Sequence, residues 1–369
     1  MVFKREDYIE DFDEAWCPGC GDFGIRESFY KTLVDLQLDP NKTIVVSGIG
    51  CSSKSVHDFK CYGVHTLHGR PLPVALGIKI ANPELKVIVH TGDGDCYGIG
   101  ACHFVNTGRY NPDIKLIVYD NTVYALTKGQ ASPTLKKGEK PKALPIPNIK
   151  DAINPIGIAI FSGYRFVAQG YAFDINKLSS LITQSIKHKG LALINVKQPC
   201  ITYDDIHTRE FYQNAIVNIE NIIILTKDLE KSIKVGLVKT PFSNYKVGEL
   251  IIIEKDEDEK NCYVFEYKKA NEFAILPKNK AEELIKNGYA RKITKEDWND
   301  ALIAFLSKIS PFIPLIGIIY KNEKNSTYEE RIAENIKNYF VYPPAKQIIC
   351  DKEGSPTTRI ESLLDLFLV

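Results

Sequence analysis

The sequence predicts an α/β fold: an open, mostly parallel sheet with helices on both faces, plus a smaller α+β C-terminal extension. Three observations carry that prediction. Lys86–Asn121 reads strand, turn, helix, strand, with Ile88 and Val89 in one apolar run and Ile114–Val118 forming the next. The residues between can cross over only as a helix, so the two strands run parallel. The polar clusters Gly92-Asp93-Gly94-Asp95 and Asp120-Asn121 then fall at the carboxyl ends of neighbouring strands, the edge where open α/β sheets bind ligands. Second, two further apolar runs end the same way: Thr43–Ser47 in Gly48-Ile49-Gly50-Cys51-Ser52-Ser53, and Leu191–Val196 in Gln198-Pro199-Cys200. Third, the texture changes near residue 215, where strand-like runs and a charged turn replace the strand–helix alternation.

The chain has 369 residues, enough for two domains or one large domain with an extension. A hydrophobic content of 44% and a charged content of 25% are ordinary for a globular protein. A net charge of +1 gives no reason to expect nucleic-acid or membrane binding. No apolar run is long enough to cross a bilayer, and Met1–Glu14 has no signal-peptide core. The expected location is the cytoplasm, where the nine cysteines serve as thiols, metal ligands or cluster ligands rather than disulfides. One Met among many Lys, Ile and Glu is compatible with a thermophile. Three regions are expected: 1–214, 215–312 and 313–369.

Cys17-Pro18-Gly19-Cys20-Gly21 places two thiols on a Pro/Gly turn, a pair that can bind one metal centre. Alone it reads as a zinc knuckle or a redox dithiol, and a metal needs further ligands. Asp22 is expected to cap the helix that follows, whose apolar face is Ile25, Phe29, Leu33 and Leu36 and which Asp39-Pro40 ends. After the Thr43–Ser47 strand, Cys51 is either a third ligand or a buried structural Cys. His68 and Arg70 precede a Pro-started helix, Pro71–Asn82, whose N-terminus suits an anion; the alternative is an ordinary surface loop. A lone Gly-Asp-Gly is usually just a strand-end turn. With Asn121 at the end of the next strand it gains meaning: Asp93 offers a hard anionic oxygen and Asn121 a neutral one, as Mg²⁺ prefers, with phosphate oxygens completing its shell. Lys128, in the polar loop that follows, suits a carboxylate or a diphosphate, although its spacing alone says only solvated lysine. Ala131–Lys150, with four prolines, reads as a long loop of the lid or partner-contact kind.

Asp151–Ile160 and Ile175–Lys187 are predicted helices, and Phe166–Ala168 and Leu191–Val196 predicted strands. Cys200 lies on the same strand edge as Cys51, so three segments can bring four thiolates to one centre. Cys61, Cys96, Cys102, Cys262 and Cys350 have no such setting and are read as structural. Beyond residue 215, Val217–Leu225, Tyr245–Ile253, Cys262–Tyr267 and Leu315–Tyr320 read as strands. Ala281–Asn287 and Lys295–Lys308 read as helices, Ser326 or Thr327 as a cap, and Ile360–Val369 as an apolar packing segment.

The run Gly-Asp-Gly followed, near the end of the next strand, by a dipeptide ending in Asn resembles the thiamine diphosphate motif. Asp120 stands where the motif usually has a first Asn. More broadly, Trp16–Gly24, Gly48–Lys54, His65–Pro71, Gly92–Asp95, Asn121–Pro133 and Gln198–Tyr203 resemble the β subunit of the archaeal and bacterial 2-oxoacid:ferredoxin oxidoreductases. Ile313–Glu330 resembles that family's C-terminal segment. Residues 215–310 resemble it least and read as an elaborated or inserted module. The resemblance implies the thiamine diphosphate-binding fold for residues 1–214. It also implies one [4Fe–4S] cluster on Cys17, Cys20, Cys51 and Cys200, and Mg²⁺ on Asp93, Asn121 and the Val123 carbonyl. Cofactor contacts would come from Ile49, Gly50, Cys51, Ser52, His68, Gly94, Asp95, Ala125 and Leu126, with Lys54 and Lys128 near the reacting groups. Tyr124-Ala125 replaces the usual Tyr-Gly, and Tyr203-Asp204 an aromatic residue followed by Asn; neither removes a ligand.

The implied reaction is oxidative decarboxylation of a 2-oxoacid with coenzyme A, electrons passing through the cluster to ferredoxin. The carboxylate that activates the cofactor sits, in this family, on a separate domain. The chain is therefore expected to need an α or fused γα subunit. The oxoacid stays open between pyruvate, 2-oxoglutarate and branched-chain acids, with the Cys17 and Lys128 regions nearest the broad-specificity or 2-oxoglutarate type. Two rivals are a non-redox thiamine-dependent decarboxylase or carboligase subunit, which leaves four cysteines idle, and a zinc-stabilised binding module, which leaves the paired Mg²⁺ ligands unexplained.

Overall fold

The computed structural model describes residues 2–12, 16–218, 250–255, 262–267, 290–292, 314–323, 326–336, 339–340 and 343–347. The expected helices 281–287 and 295–308, the apolar segment 360–369, Cys350, and the outer parts of the strands expected at 217–225 and 245–253 lie outside these residues.

Strands β1 (Thr43–Ser47), β2 (Tyr62–His65), β3 (Lys86–Gly92) and β4 (Ile114–Asp120) are followed by a small hairpin, β5 (Val123–Tyr124) with β6 (Gln130–Ala131). Then come β7 (Phe166–Tyr171), β8 (Ala192–Lys197) and β9 (Val217–Asn218). Strands β10 (Leu250–Lys255), β11 (Cys262–Tyr267) and β12 (Ala290–Lys292) form an antiparallel sheet of their own, with the predicted β10–β11 hairpin at its centre. Strand β13 (Leu315–Lys321) completes the main sheet, whose order is β2-β1-β3-β4-β8-β7-β13-β9. The first six of these are parallel to one another; β13 runs antiparallel to β7. The C-terminal segment Leu315–Lys321 thus supplies a strand of the main sheet.

Helices α1 (Gly21–Leu36), α2 (Pro71–Ala81), α3 (Ala101–Tyr110), α4 (Pro155–Ser162), α5 (Ile175–Lys187), α6 (Arg209–Ala215), α7 (Tyr328–Asn335) and α8 (Pro344–Gln347) are the α-helices among the described residues. Alternate strand residues feed two cores. Val87, Val89, Leu116, Val118 and Leu193 pack with Leu72, Ala75, Phe104 and Ile156 of α2, α3 and α4. Ile88, Ile117, Ile194 and Val196 pack with Ile25, Phe29, Leu33, Leu178 and Ile182 of α1 and α5. Strands buried on both faces explain the continuous apolar runs.

Three local expectations change. Asp22 does not cap α1: Cys20 holds that position, and Asp22 lies in the first turn, fully buried, where its Oδ1 accepts from Gln198 Nε2 at 2.7 Å. The helix ends at Gln37, whose left-handed backbone returns its N–H to Leu33 and Val34; Asp39 instead caps the short turn Pro40–Lys42. Helix α4 starts at Pro155, not residue 151, because the Asn154 side chain accepts from Gly157 N and Pro155 takes the first helical position. Thr327 caps α7 with Glu330 closing the box, as expected. Cys96 is buried and Cys61 half-buried, whereas Cys102 is exposed and packs into no core.

Candidate active site

From β1 the chain steps outward to β2, then returns to place β3 on the other side of β1. The carboxyl ends of β1 and β3 therefore diverge into separate loops, and a crevice opens between them. Gly48–Ser53 and Gly92–Asp95 are those loops. The cleft holds about 550 Å³ of empty space and is open to solvent. It is lined by Ile49, Gly50, Cys51, Ser52, His68, Asp93, Gly94, Asp95, Asn121, Val123, Ala125 and Leu126, among others. All nine residues expected at the cofactor, and all three expected at the cation, meet there.

Asp93 is buried at the cleft floor. Its Oδ2 accepts from Ser132 Oγ at 2.5 Å and Thr134 Oγ1 at 2.7 Å. Thr134 Oγ1 also faces Asp120 Oδ1 at 2.8 Å, so one hydroxyl proton is shared between two carboxyl groups. Burial first, and then the charge of Asp120, push the Asp93 carboxyl up to about 7. A divalent cation beside Asp93 would supply the missing positive charge, and Asn121 Oδ1, which also accepts from Val123 N at 3.1 Å, offers a second oxygen. These oxygens fit Mg²⁺.

Asp120 plays a different part. It is fully buried and faces away from the cleft, paired with Lys197 Nζ at 2.5 Å and accepting from Asn195 Nδ2 at 2.9 Å. The β4–β8 register sets Asp120 opposite Lys197. Burial would raise this carboxyl, but Lys197 outweighs it and holds the group below the usual carboxylate range. Asp95 also turns inward. It accepts from His68 Nδ1 at 2.5 Å, Gly69 N at 2.6 Å and Thr91 Oγ1 at 2.5 Å. A side chain at residue 48 would collide with this carboxylate, so Gly48 is what lets the β1 loop close on it. The Asp95 carboxylate is thus spent on holding His68 and on tying the loop after β2 to the end of β3. Tyr124 lies over Gly94, its hydroxyl 3.3 Å from the Gly94 carbonyl.

On one flank the cleft meets the cysteines. Trp16 Nε1 donates to the Cys51 carbonyl at 2.8 Å, docking the Cys17–Cys20 turn on the β1 loop. Thr202 Oγ1 lies 3.2 Å from Cys17 Sγ, and the Asp22–Gln198 bond ties α1 to the Cys200 loop. Gly21 leaves no room for a side chain against Gln198. Burial raises the Cys20 and Cys200 thiols and carries Cys51 up to about 12. Cys51 and Cys200 also raise Cys20, and Cys200 and Cys17 raise Cys51, so these four cysteines lie on the same flank within electrostatic reach. No three His, Cys, Asp or Glu side chains among the described residues are close enough to hold a single metal ion. A four-iron cluster takes one cysteine on each of four different irons, so its ligands need not converge on one point as those of a single zinc ion do.

Neither expected lysine lines the cleft. Lys54 is half-buried on the cysteine side, where its charge reaches Cys51 and Asp22. Lys128 is exposed on the β5–β6 hairpin with a left-handed backbone, φ 86°. Arg70 is exposed, turned toward His103. Sequence reasoning missed Ser132, Thr134 and Lys197. Lys197 was findable: a charge ending an otherwise apolar run, like Asp120, requires a partner.

Residues 48–196 match the family model described as thiamine pyrophosphate enzyme, C-terminal TPP binding domain. The chain is 46% identical over 351 residues to a 2-oxoacid:ferredoxin oxidoreductase subunit beta of Sulfolobus sp, covering 95% of each. It is 45% identical over 352 residues to the protein of the same description from Saccharolobus solfataricus, again covering 95% of each. So long a match leaves too few residues outside it to exclude the 215–312 segment. Among solved structures, the chain resembles a 2-oxoglutarate:ferredoxin oxidoreductase from Magnetococcus marinus with 2-oxoglutarate, coenzyme A and succinyl-CoA bound. That likeness has a TM-score of 0.65, 24% identity, and coverage of 100% of this chain and 96% of the other, and it concerns the fold. No helix among the described residues is long and apolar enough to cross a membrane. Near full-length relatives at 45–46% identity, together with the matched thiamine pyrophosphate-binding region that carries the cleft, show that the chain belongs to the β subunits of the 2-oxoacid:ferredoxin oxidoreductases.

Proposed function

We propose that this chain, with an α or fused γα subunit in the cytoplasm, catalyses the oxidative decarboxylation of a 2-oxoacid to an acyl-CoA and CO₂. The bond to the carboxylate carbon breaks and a carbon–sulfur bond to coenzyme A forms. Two electrons and one proton leave, the electrons going to ferredoxin. The observation that carries this reading is the place of Cys51. It lines the cleft with Asp93 and Asn121, and it lies within electrostatic reach of Cys20, Cys200 and Cys17.

When bound, thiamine diphosphate supplies the electron sink for decarboxylation, and a [4Fe–4S] cluster supplies a one-electron acceptor. The chain's own residues hold, orient and screen. Asp93, Asn121 and the Val123 carbonyl hold Mg²⁺. Ile49, Gly50, Cys51, Ser52, His68, Gly94, Asp95, Ala125 and Leu126 receive the cofactor, with Asp95 orienting His68 rather than meeting a phosphate. Cys17, Cys20, Cys51 and Cys200 ligate the cluster, and the exposure of Cys17 gives an external carrier an approach. Lys54 adds positive charge beside the cluster, and Lys128 meets an anionic substrate at the open mouth.

Iron, acid-labile sulfide and zinc content of the anaerobically purified chain test this, alongside its visible spectrum. About four irons and four sulfides per chain are expected; zinc alone, or free cysteines with no metal, overturns the redox reading. Oxoacid-dependent dye reduction is expected only with the partner subunit, and reduction by the chain alone would sink that requirement.

A further inference from the structure

Thr122 lies between Asn121 and Val123, two of the three residues proposed to hold the cation, and its backbone is left-handed, φ 66°. For a β-branched residue that conformation is costly and persists only where its surroundings enforce it. Here the enforcing contacts are specific. Thr122 Oγ1 donates to Asp204 Oδ2 at 3.0 Å and lies 3.3 Å from His207 Nδ1, while the Thr122 carbonyl accepts from Ser132 N at 3.1 Å. The Asp204 carboxylate is itself fully engaged. Oδ2 also faces His207 Nδ1 at 2.7 Å, and Oδ1 accepts from Ile206 N at 2.8 Å and His207 N at 3.2 Å. The other ring nitrogen of His207 faces Glu139 Oε2 at 3.4 Å. Thr122, Asp204 and His207 are all buried, and the Asp204 backbone N–H is bonded to the Cys200 carbonyl at 2.9 Å.

We propose that His207 is a positioning residue for the cation site: through Asp204 it holds Thr122 in the left-handed turn that sets Asn121 and Val123 at the cleft. This rests on the reading that Asn121 and Val123 hold the cation. Two carboxylates on opposite nitrogens require His207 to donate from both. Burial alone would lower its pKa, but Asp204 and then Glu139 outweigh that and carry it up to about 9, so the ring is charged at neutral pH. A charged ring fixes the carboxylate that fixes Thr122. The outer partners of metal-ligating groups are commonly worth 10–100-fold in metal affinity, and His207 would act at one further remove.

The test is a double-mutant cycle on the full-length protein. Mn²⁺ affinity is measured in the presence of thiamine diphosphate, from the free Mn²⁺ electron paramagnetic resonance signal. His207→Gln is expected to weaken Mn²⁺ binding about tenfold. Thr122→Gly adopts the left-handed turn freely, so in that background the same substitution is expected to cost less than about twofold. A merely structural role would cost the same factor in both backgrounds, and that result overturns the proposal. Asp204→Asn, nearly isosteric, takes the place of His207→Gln if the latter does not fold, and its two outcomes are read in the same way. Asn121→Ala is the control for the underlying reading. If it leaves Mn²⁺ binding unchanged, the assignment of the cation site fails, and this inference fails with it for a reason the cycle alone would not reveal.

Discussion

The cleft floor and the cysteine flank adjoin one another yet are finished to different degrees. Around Asp93, the side-chain polar atoms of Ser132, Thr134, Asp120, Asn195 and Lys197 are joined in one chain of hydrogen bonds. Around the cysteines, Gln198 Oε1 is buried without a hydrogen-bond partner among the described residues, and burial raises the Cys20, Cys51 and Cys200 thiols and so favours their protonated form. The difference follows from the ligands each side suits. A hard, strongly hydrated cation gives up its waters reluctantly and needs oxygens already in place. Thiolate–metal bonds are strong enough to complete the folding of their own loops.

The sharpest way to break this comparison is to remove one side at a time. Cys200→Ser is expected to abolish iron binding, read by absorption and iron analysis, while cation-dependent thiamine diphosphate binding stays within about threefold. Asp93→Ala is expected to do the opposite, retaining iron and losing at least about 100-fold in cofactor affinity by titration calorimetry. Loss of both groups in either variant would mean that the two sites assemble as one.

The next effect is on stability. Asp120→Ala leaves Lys197 charged and buried without its partner, at a cost of about 3–5 kcal/mol in urea unfolding. Adding Lys197→Met is expected to recover most of it, because the Asp120–Lys197 pair supports the cleft through Thr134 rather than touching a ligand.

A smaller effect tracks pH. The folded-state pKa of His207, about 9, lies above its unfolded value near 6.5. Its contribution of about 3 kcal/mol is therefore fully present below pH 6.5 and is lost as pH rises through 9. Urea midpoints measured across that range should fall in the native protein and fall less in His207→Gln; parallel slopes would remove the charged-ring assignment. The smallest effect concerns Lys128, whose left-handed backbone stores about 1 kcal/mol that Lys128→Gly should return as added stability. If Lys128 meets substrate, the same variant raises KM while kcat changes little.

Among the residues proposed as ligands, Asp93, Gly94, Asn121, Cys51 and Cys200 were legible as candidates because each lies just beyond an apolar run, and strand ends are local features. Gly92–Asp95, Asn121 and Cys51 needed only the inference that their strands are parallel. What was not legible depends on which strand neighbours which. Strand β8 inserts between β4 and β7, and nothing local announces it; yet that insertion sets Lys197 opposite Asp120 and carries the 200–208 segment to Thr122. The inward turn of Asp95 was hidden for the same reason, since its partners come from loops after β2 and within β3. The cap of α1 escapes a local reading because Asp22 is a common capping residue, and its true partner, Gln198, is remote in sequence.

The turn after β1 gives the cleft Ile49, Gly50, Cys51 and Ser52, and Cys51 is also one of the four thiols proposed for the cluster. Two ligand sets therefore share a single short peptide. Shared backbone makes their occupancies thermodynamically linked, and linkage is reciprocal: whatever factor the filled cleft imposes on the affinity of the thiols for iron, the loaded thiols impose equally on the affinity of the cleft. The limit of about threefold expected for Cys200→Ser therefore caps the factor in both directions, and preparations that lose iron in air should keep their cofactor affinity within that same limit.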